Sequence, residues 1–217
     1  MARWGFLTNH AHVLIQIARR PRSTVREVAL ATGITERASI TILQSLRQAG
    51  IVSTEREGRR NVNRILLSSL EKHRPWSGSS MEIPQPLIDA TLRGLSHIAV
   101  DDSCLRDGDE GPSLDGARWG FLTTHALCLI YVTQHDHSTV REIAQAVGVT
   151  ERATHAALRD LREAGIIEQE RQGRRNSYSV NFDHLAAYRR EGTAPDLVPD
   201  PFVSSLVEAL LALRPAV

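Results

Sequence analysis

Two short clusters in this 217-residue chain carry side chains suited to holding a polyanion, and each occurs twice. The first is Thr35-Glu36-Arg37-Ala38, which returns as Thr150-Glu151-Arg152-Ala153. The second is Gly58-Arg59-Arg60-Asn61, which returns as Gly173-Arg174-Arg175-Asn176. A guanidinium is planar, permanently charged and bidentate, so arginines at a helix start or on a tight turn pair with phosphate oxygens or with the O6/N7 edge of guanine. Catalytic chemistry has less support. The chain has no glycine-rich phosphate loop, no nucleophile motif and no paired carboxylates in a cleft pattern, so it is not expected to be an enzyme and no cofactor is expected. His10 with His12, or His135 with His137, offers imidazoles at close spacing. No cysteine or carboxylate set recurs with them, so no metal site is expected either. Cys104 and Cys128 are too few for a disulfide framework, and Cys128 sits in an apolar helical stretch as a core residue.

The elements that position these clusters follow from a repeat. Ala2-Arg3-Trp4-Gly5-Phe6-Leu7-Thr8 recurs as Ala117 to Thr123, an offset of 115 residues. The offset then holds without a gap, and 35 of the 60 positions from 2 to 61 are identical to their counterparts. The chain therefore divides into a first unit over 1–98, a linker over 99–116 rich in Asp, Gly and Ser, and a second unit over 117–217. The linker reads as flexible and acidic. Charge is uneven: residues 2–76 hold 13 Lys and Arg against 5 Asp and Glu, whereas 117–191 hold 10 against 9. A basic segment of this size points to a polyanionic partner.

Within the first unit, apolar spacing predicts a helix over Leu7–Arg19, ended by Pro21. Thr24-x-x-Glu27 is a capping-box pattern opening a second short helix that Gly33 closes. Thr35 is the expected N-cap of a third helix running to about Gln48, with Ala38, Ile42, Leu43 and Leu46 inward and Gly50 at its end. Ile51–Arg56 reads as a strand, Glu57–Asn61 as a turn and Val62–Leu66 as the returning strand. Short helices follow at about 67–73 and 182–190. Proline-led amphipathic helices follow these at about 85–98 and 200–213. In the second copy Phe202, Val203, Leu206, Val207, Leu210 and Leu211 form a broad apolar stripe that packs on its own unit or pairs with the other tail. The expected fold is mainly α with small β-hairpin wings (α+β), a tandem duplication of a winged helix-turn-helix domain.

Such a domain sets its third helix in the major groove of DNA, led by the amino-terminal residues. The outward positions expected to meet the bases are Glu36, Arg37, Ser39, Ile40, Thr41 and Gln44, with Glu151, Arg152, Thr154, His155, Ala156 and Arg159 in the second unit. Thr35 and Thr150 begin those helices. Arg37 and Arg152 are the candidates for guanine. The turn residues Arg59, Arg60 and Asn61, with Arg174, Arg175 and Asn176, would reach the minor groove or flanking phosphates. Thr24 and Arg26, with Thr139 and Arg141, open the second helix where a phosphate can rest, although capping alone accounts for Thr24. Ile40 against His155, and Gln44 against Arg159, are unequal reading heads, so the two half-sites are expected to differ. Arg19, Arg20 and Arg22 are replaced by Gln134, His135 and His137, which assigns more of the salt-dependent affinity to the first unit. The same exchange suggests that the second unit binds better at mildly acidic pH, which His135→Ala and His137→Ala variants would test.

The segments Trp4-Gly5-Phe6-Leu7-Thr8-x-His10-Ala11, Gly33-Ile34-Thr35-Glu36-Arg37-Ala38 and Gly58-Arg59-Arg60-Asn61 resemble the short stand-alone MarR-like winged-helix regulators of bacteria. The resemblance covers nearly all of both units and leaves out the linker. It implies double-stranded DNA binding and transcription regulation, and it names no operator and no small-molecule effector. Members of that group carry one unit per chain and are expected to dimerise. Here the duplication would supply both halves as a pseudo-dimer, with further homodimerisation through the C-terminal helices left open. The rival reading is a protein- or RNA-interaction module with only non-specific DNA affinity. Trp4 and Trp119 would be core aromatics or the lining of a ligand pocket between units. The amino terminus has no leader-like apolar run and no stretch long enough to span a membrane, so the expected location is cytoplasmic, beside the nucleoid.

Overall fold

The computed structural model describes residues 5–58, 60–72, 81–99, 105–106, 120–173, 175–185, 205, 208–210 and 212–213. Trp4, Arg59, Cys104, Trp119 and Arg174 lie outside the described residues. So does most of the apolar stripe of the second tail (Phe202, Val203, Leu206, Val207 and Leu211).

The protein is α+β, mostly helical with small β-sheets. Helices α1 (Asn9–Arg19), α2 (Val25–Thr32) and α3 (Glu36–Gln48) lead into the antiparallel hairpin β1 (Val52–Glu57) and β2 (Arg60–Leu66). Then come α4 (Leu67–Lys72), α5 (Gln85–Ile98) and the two-residue strand β3 (Leu105–Arg106). The order of three helices and a hairpin returns, with one added strand after the first helix, as α6 (Thr124–Gln134), β4 (His137–Ser138), α7 (Val140–Val147), α8 (Glu151–Glu163), β5 (Ile167–Gln172) and β6 (Arg175–Val180). In the second repeat β4 pairs with β6 to give a three-stranded sheet ordered β4-β6-β5. The first repeat has no such strand among the described residues, but it keeps the bond beside it, from the Asn63 N–H to the Pro21 carbonyl (2.9 Å), which matches that from the Tyr178 N–H to the Asp136 carbonyl (2.8 Å).

Local chemistry sets the boundaries. Thr24 and Thr139 accept from the N–H of Glu27 and Glu142 while those carboxylates take the threonine N–H in return, so both capping boxes are complete. Gly33 and Gly148 end α2 and α7 at φ 69° and 73°, in the left-handed region where a Cβ is costly. Thr35 and Thr150 cap α3 and α8 through the N–H of Ala38 and Ala153 (3.2 Å each).

Four expectations need correction. The first helix begins at Asn9 and not at Leu7, because Thr8 is its cap and Leu7 is drawn into a bridge with Leu122. Asn61 and Asn176 lie in strands and not in turns. Pairing of Glu57 with Arg60, and of Gln172 with Arg175, leaves only two residues in each hairpin loop. Ala38 is only half-buried, and Ser39 takes its inward place. The linker is not structureless throughout: Leu105–Arg106 adds a parallel strand beside Ile65–Leu66.

The two repeats meet through the same residues. The Thr8 N–H bonds the Phe121 carbonyl and the Thr123 N–H bonds the Phe6 carbonyl, each at 3.0 Å. The Thr8 hydroxyl donates to Gly120 O (2.7 Å), and the Thr123 hydroxyl donates to Gly5 O (2.6 Å). Gly-Phe-Leu-Thr is thus self-complementary, pairing with its own copy as in a two-fold contact. One apolar core runs through both repeats, from Leu14, Ile15 and Leu46 to Phe121, Leu129 and Leu161. The α5 helix packs on α1 of its own repeat, burying Leu87, Ala90 and Leu95. Cys128 is buried in α6, and desolvation pushes its thiol up to about 12, so it is an inert core residue. Among the described residues no helix is long and apolar enough to cross a membrane.

Burial on α1 holds His10 and His12 below the ordinary imidazole value of 6.5. Each therefore takes up its proton at lower pH in the folded chain than in the unfolded one. Their contribution is complete above the unfolded value and is lost as pH falls through 6.5 towards the folded values. The capping carboxylates Glu27 and Glu142, held low mainly by their backbone bonds from Thr24 and Thr139, act only below 4.5. Melting temperature is expected to drop as pH falls through 6.5, and the His10→Gln/His12→Gln double variant should flatten that drop. An equal drop in the double variant would contradict this assignment.

Candidate nucleic-acid interface

Burial divides α3 into two faces. Ser39, Ile42, Leu43 and Leu46 are buried, an i, i+3, i+4, i+7 stripe, and Glu36, Arg37, Ile40, Thr41 and Gln44 are exposed. In α8 the buried stripe is Thr154, Ala157, Leu158 and Leu161, leaving Glu151, Arg152, His155 and Arg159 exposed and Ala156 half-buried. Ser39 and Thr154, expected to face outward, are 0% exposed and leave the interface. Their small side chains complete the inward stripe one position beyond Ala38 and Ala153. Thr154 bonds the Thr150 carbonyl (3.2 Å), whereas the Ser39 hydroxyl has no hydrogen-bond partner among the described residues.

That orphaned hydroxyl gives a direct check. Ser39→Ala removes a buried polar atom without a bond, so unfolding free energy is expected to hold or rise by up to about 1 kcal/mol. The DNA affinity expected from the sequence should not depend on this side chain. A loss of affinity matching that of Arg37→Ala would return position 39 to the outer face.

The other candidates differ in how far their bonding is committed. Arg26, Arg37, Arg141 and Arg152 are exposed, and no ion pair within the described residues holds them. Arg159 is held by Asp160 (3.0 Å) and Glu163 (3.7 Å), which raises its pKa further. Asp160 is held low by the bond from Arg159 and next by His125, whose Nε2 lies 3.2 Å away. The Thr41 hydroxyl donates back to the Arg37 carbonyl (3.0 Å). Thr24 and Thr139 are engaged in their capping boxes.

The hairpins lie beside the amino ends of α2 and α7. Arg175 reaches across to Glu142 (3.2 Å) and to the His137 carbonyl (3.2 Å), and Asn176 donates to the Tyr178 hydroxyl (3.2 Å). Arg60 is exposed, with Glu27 close enough to feel its charge, and Asn61 is exposed beside it. The first hairpin also carries a network without a counterpart in the second. The buried Arg64 pairs with Glu55 (3.1 Å) and Glu57 (3.0 Å), and Glu57 pairs with Arg22 (2.8 Å).

Sequence reasoning passed over Arg47, Arg56 and Asn63, which line the hollow between α3 and the first hairpin. The repeat held a signal for two of them, since Arg47 and Arg56 return as Arg162 and Arg171 at the common offset.

A family model described as HVO_A0114 matches residues 122–187, which run from the inter-repeat bridge to just beyond the second hairpin. No curated protein and no solved structure matches the chain.

Proposed function

We propose that the chain is a sequence-specific double-stranded DNA-binding transcription regulator. Each repeat is read as a winged helix-turn-helix of MarR-like type, and the pair acts as an intramolecular pseudo-dimer on two non-identical half-sites. The observation that carries this reading is the reciprocal Gly-Phe-Leu-Thr contact, which joins two copies of the same three-helix and hairpin arrangement in one core. An operator read by two symmetric helices needs such a fixed relation between them. Exposed arginines at the second residue of α3 and of α8 support it further, as does the strand between α6 and α7 that closes the three-stranded sheet.

The two reading faces are unequal. Ile40 is 45% exposed and offers an apolar contact to a thymine methyl, where His155 offers a hydrogen bond. Gln44 suits adenine, while Arg159 must first give up Asp160.

A second reading, an interaction module for protein or RNA, draws on the second repeat. Its Arg159 and Arg175 are paired internally, and its charge is nearly balanced. Titrating a labelled duplex across a salt series, with unlabelled random duplex as competitor, separates the two. A regulator keeps a preference of 10³-fold or more for its site over random duplex at physiological salt. An interaction module loses all duplexes alike as salt rises.

A further inference from the structure

We propose that the first repeat carries a phosphate-binding pocket that the second repeat does not reproduce. An open hollow of about 450 Å³ lies between the amino end of α2, the carboxyl half of α3 and the first hairpin. Arg22, Arg47, Arg56 and Arg60 line it together with Asn63 and Thr24, and no carboxylate is among its lining residues. Four arginines line this one concave space, with Arg22 shared with Glu57; such a lining favours an anion with several oxygens, and a phosphate suits the fork geometry of a guanidinium.

The pocket is organised before any ligand arrives. Arg47 Nε donates to Thr54 Oγ1 (2.7 Å) and its Nη2 donates to Asn63 Oδ1 (3.2 Å). The Thr54 hydroxyl donates to the same Asn63 oxygen (2.9 Å), and Asn63 Nδ2 donates to the Pro21 carbonyl (3.5 Å). The Arg47 guanidinium is therefore aimed by a hydrogen-bonded frame. Arg56 is pinned to its turn through the Gly58 carbonyl (3.3 Å). Two acids flank the hollow and both are engaged: Glu57 with Arg22 and Arg64, and Glu27 with Thr24 in the capping box.

The second repeat keeps Arg162, Arg171 and Arg175 but changes the frame. His137 stands at the position of Arg22. At the position of Asn63 stands Tyr178, whose ring is buried and whose hydroxyl takes a bond from Asn176. Arg175 is tied to Glu142.

The phosphate can come from a duplex backbone or from a free phosphorylated small molecule. The first source rests on the DNA-binding reading, because the hollow adjoins the outer face of α3 and the hairpin, where a strand passing from major to minor groove would run. The second source does not depend on that reading.

The test uses the full chain with Arg56→Gln, an exposed strand position that leaves the frame intact, and Asn63→Tyr, which imports the second repeat's residue. Calorimetric titration with pyrophosphate is expected to show binding that weakens at least roughly tenfold in each variant. If the backbone is the source, the slope of log affinity against log salt for a duplex falls by about one in Arg56→Gln, which removes a charge, with or without pyrophosphate binding. If the source is free phosphate, pyrophosphate binding weakens while the duplex slope, or the absence of duplex binding, stays as in the unaltered chain. Pyrophosphate binding that is absent or unaffected by both substitutions, together with an unchanged duplex slope, overturns the proposal. Should Asn63→Tyr fail to fold, Arg56→Gln alone decides between these results.

Discussion

Replacing Arg37 by alanine is expected to cost roughly 1–3 kcal/mol of operator affinity, about tenfold to more than a hundredfold in Kd, with the loss confined to one half-site. The position explains the size. Arg37 is the second residue of α3, just past the Thr35 cap, and its side chain is exposed, so on the proposed reading it would lead the helix into a groove. No carboxylate within the described residues competes for it, so a bidentate pair with guanine would form without first breaking an internal one. Arg152→Ala should do the same at the other half-site. Arg159→Ala is expected to cost less, because Asp160 and Glu163 already hold that guanidinium and part of its contact energy is spent releasing it. Binding curves on duplexes altered at one half-site at a time check this. Uniform loss across all duplexes would make Arg37 a phosphate contact and leave base reading to other residues.

The second large effect concerns the joint between the repeats. Phe121 is 1% exposed, and its copy Phe6 is only half-buried, although both sit in the same Gly-Phe-Leu-Thr segment. Phe121→Ala should lower the unfolding free energy by about 3–5 kcal/mol, the range for truncating a fully buried aromatic. Phe6→Ala should cost clearly less. Denaturant melts read both, as a shift of midpoint at constant slope. Because Phe121 lies in the core common to both repeats, its loss should also loosen their fixed relation. Affinity for a two-part site then falls by roughly tenfold or more, while binding to a single half-site changes little. Equal costs at the two phenylalanines would mean that the segment is a symmetric surface feature and not an anchored joint.

Much of this arrangement was legible in the sequence, for identifiable reasons. Threonine caps, the capping-box glutamates and the closing glycines act over three or four residues, so α2, α3 and their copies fall where those signals place them. The proline-led helix at Gln85–Ile98 was equally plain. The features that escaped depend on tertiary contact. A stripe with a period of 3.6 residues cannot tell whether Ala38 or Ser39 completes it, since both are small, and packing decides for Ser39. The bridge of Leu7 with Leu122 is made by backbone and threonine hydroxyls across more than a hundred residues. Nothing in local pattern marks it except the identity of the two segments. The arginine hollow likewise gathers residues from α2, α3 and the hairpin that are scattered along the chain. Leu105–Arg106 pairs with the end of β2 despite lying in an acidic stretch, because a two-residue ladder needs only backbone groups.

On the proposed reading, one chain reads two unlike half-sites with two helices. Selection of binding sites from random duplex DNA, followed by titration of the best site with the unaltered chain, Arg37→Ala and Arg152→Ala, decides the matter. The expected result is a defined two-part site with unequal halves, bound by one chain, each variant weakening a different half. Recovery of no enriched sequence, or of a site that both variants weaken at the same half, would contradict it.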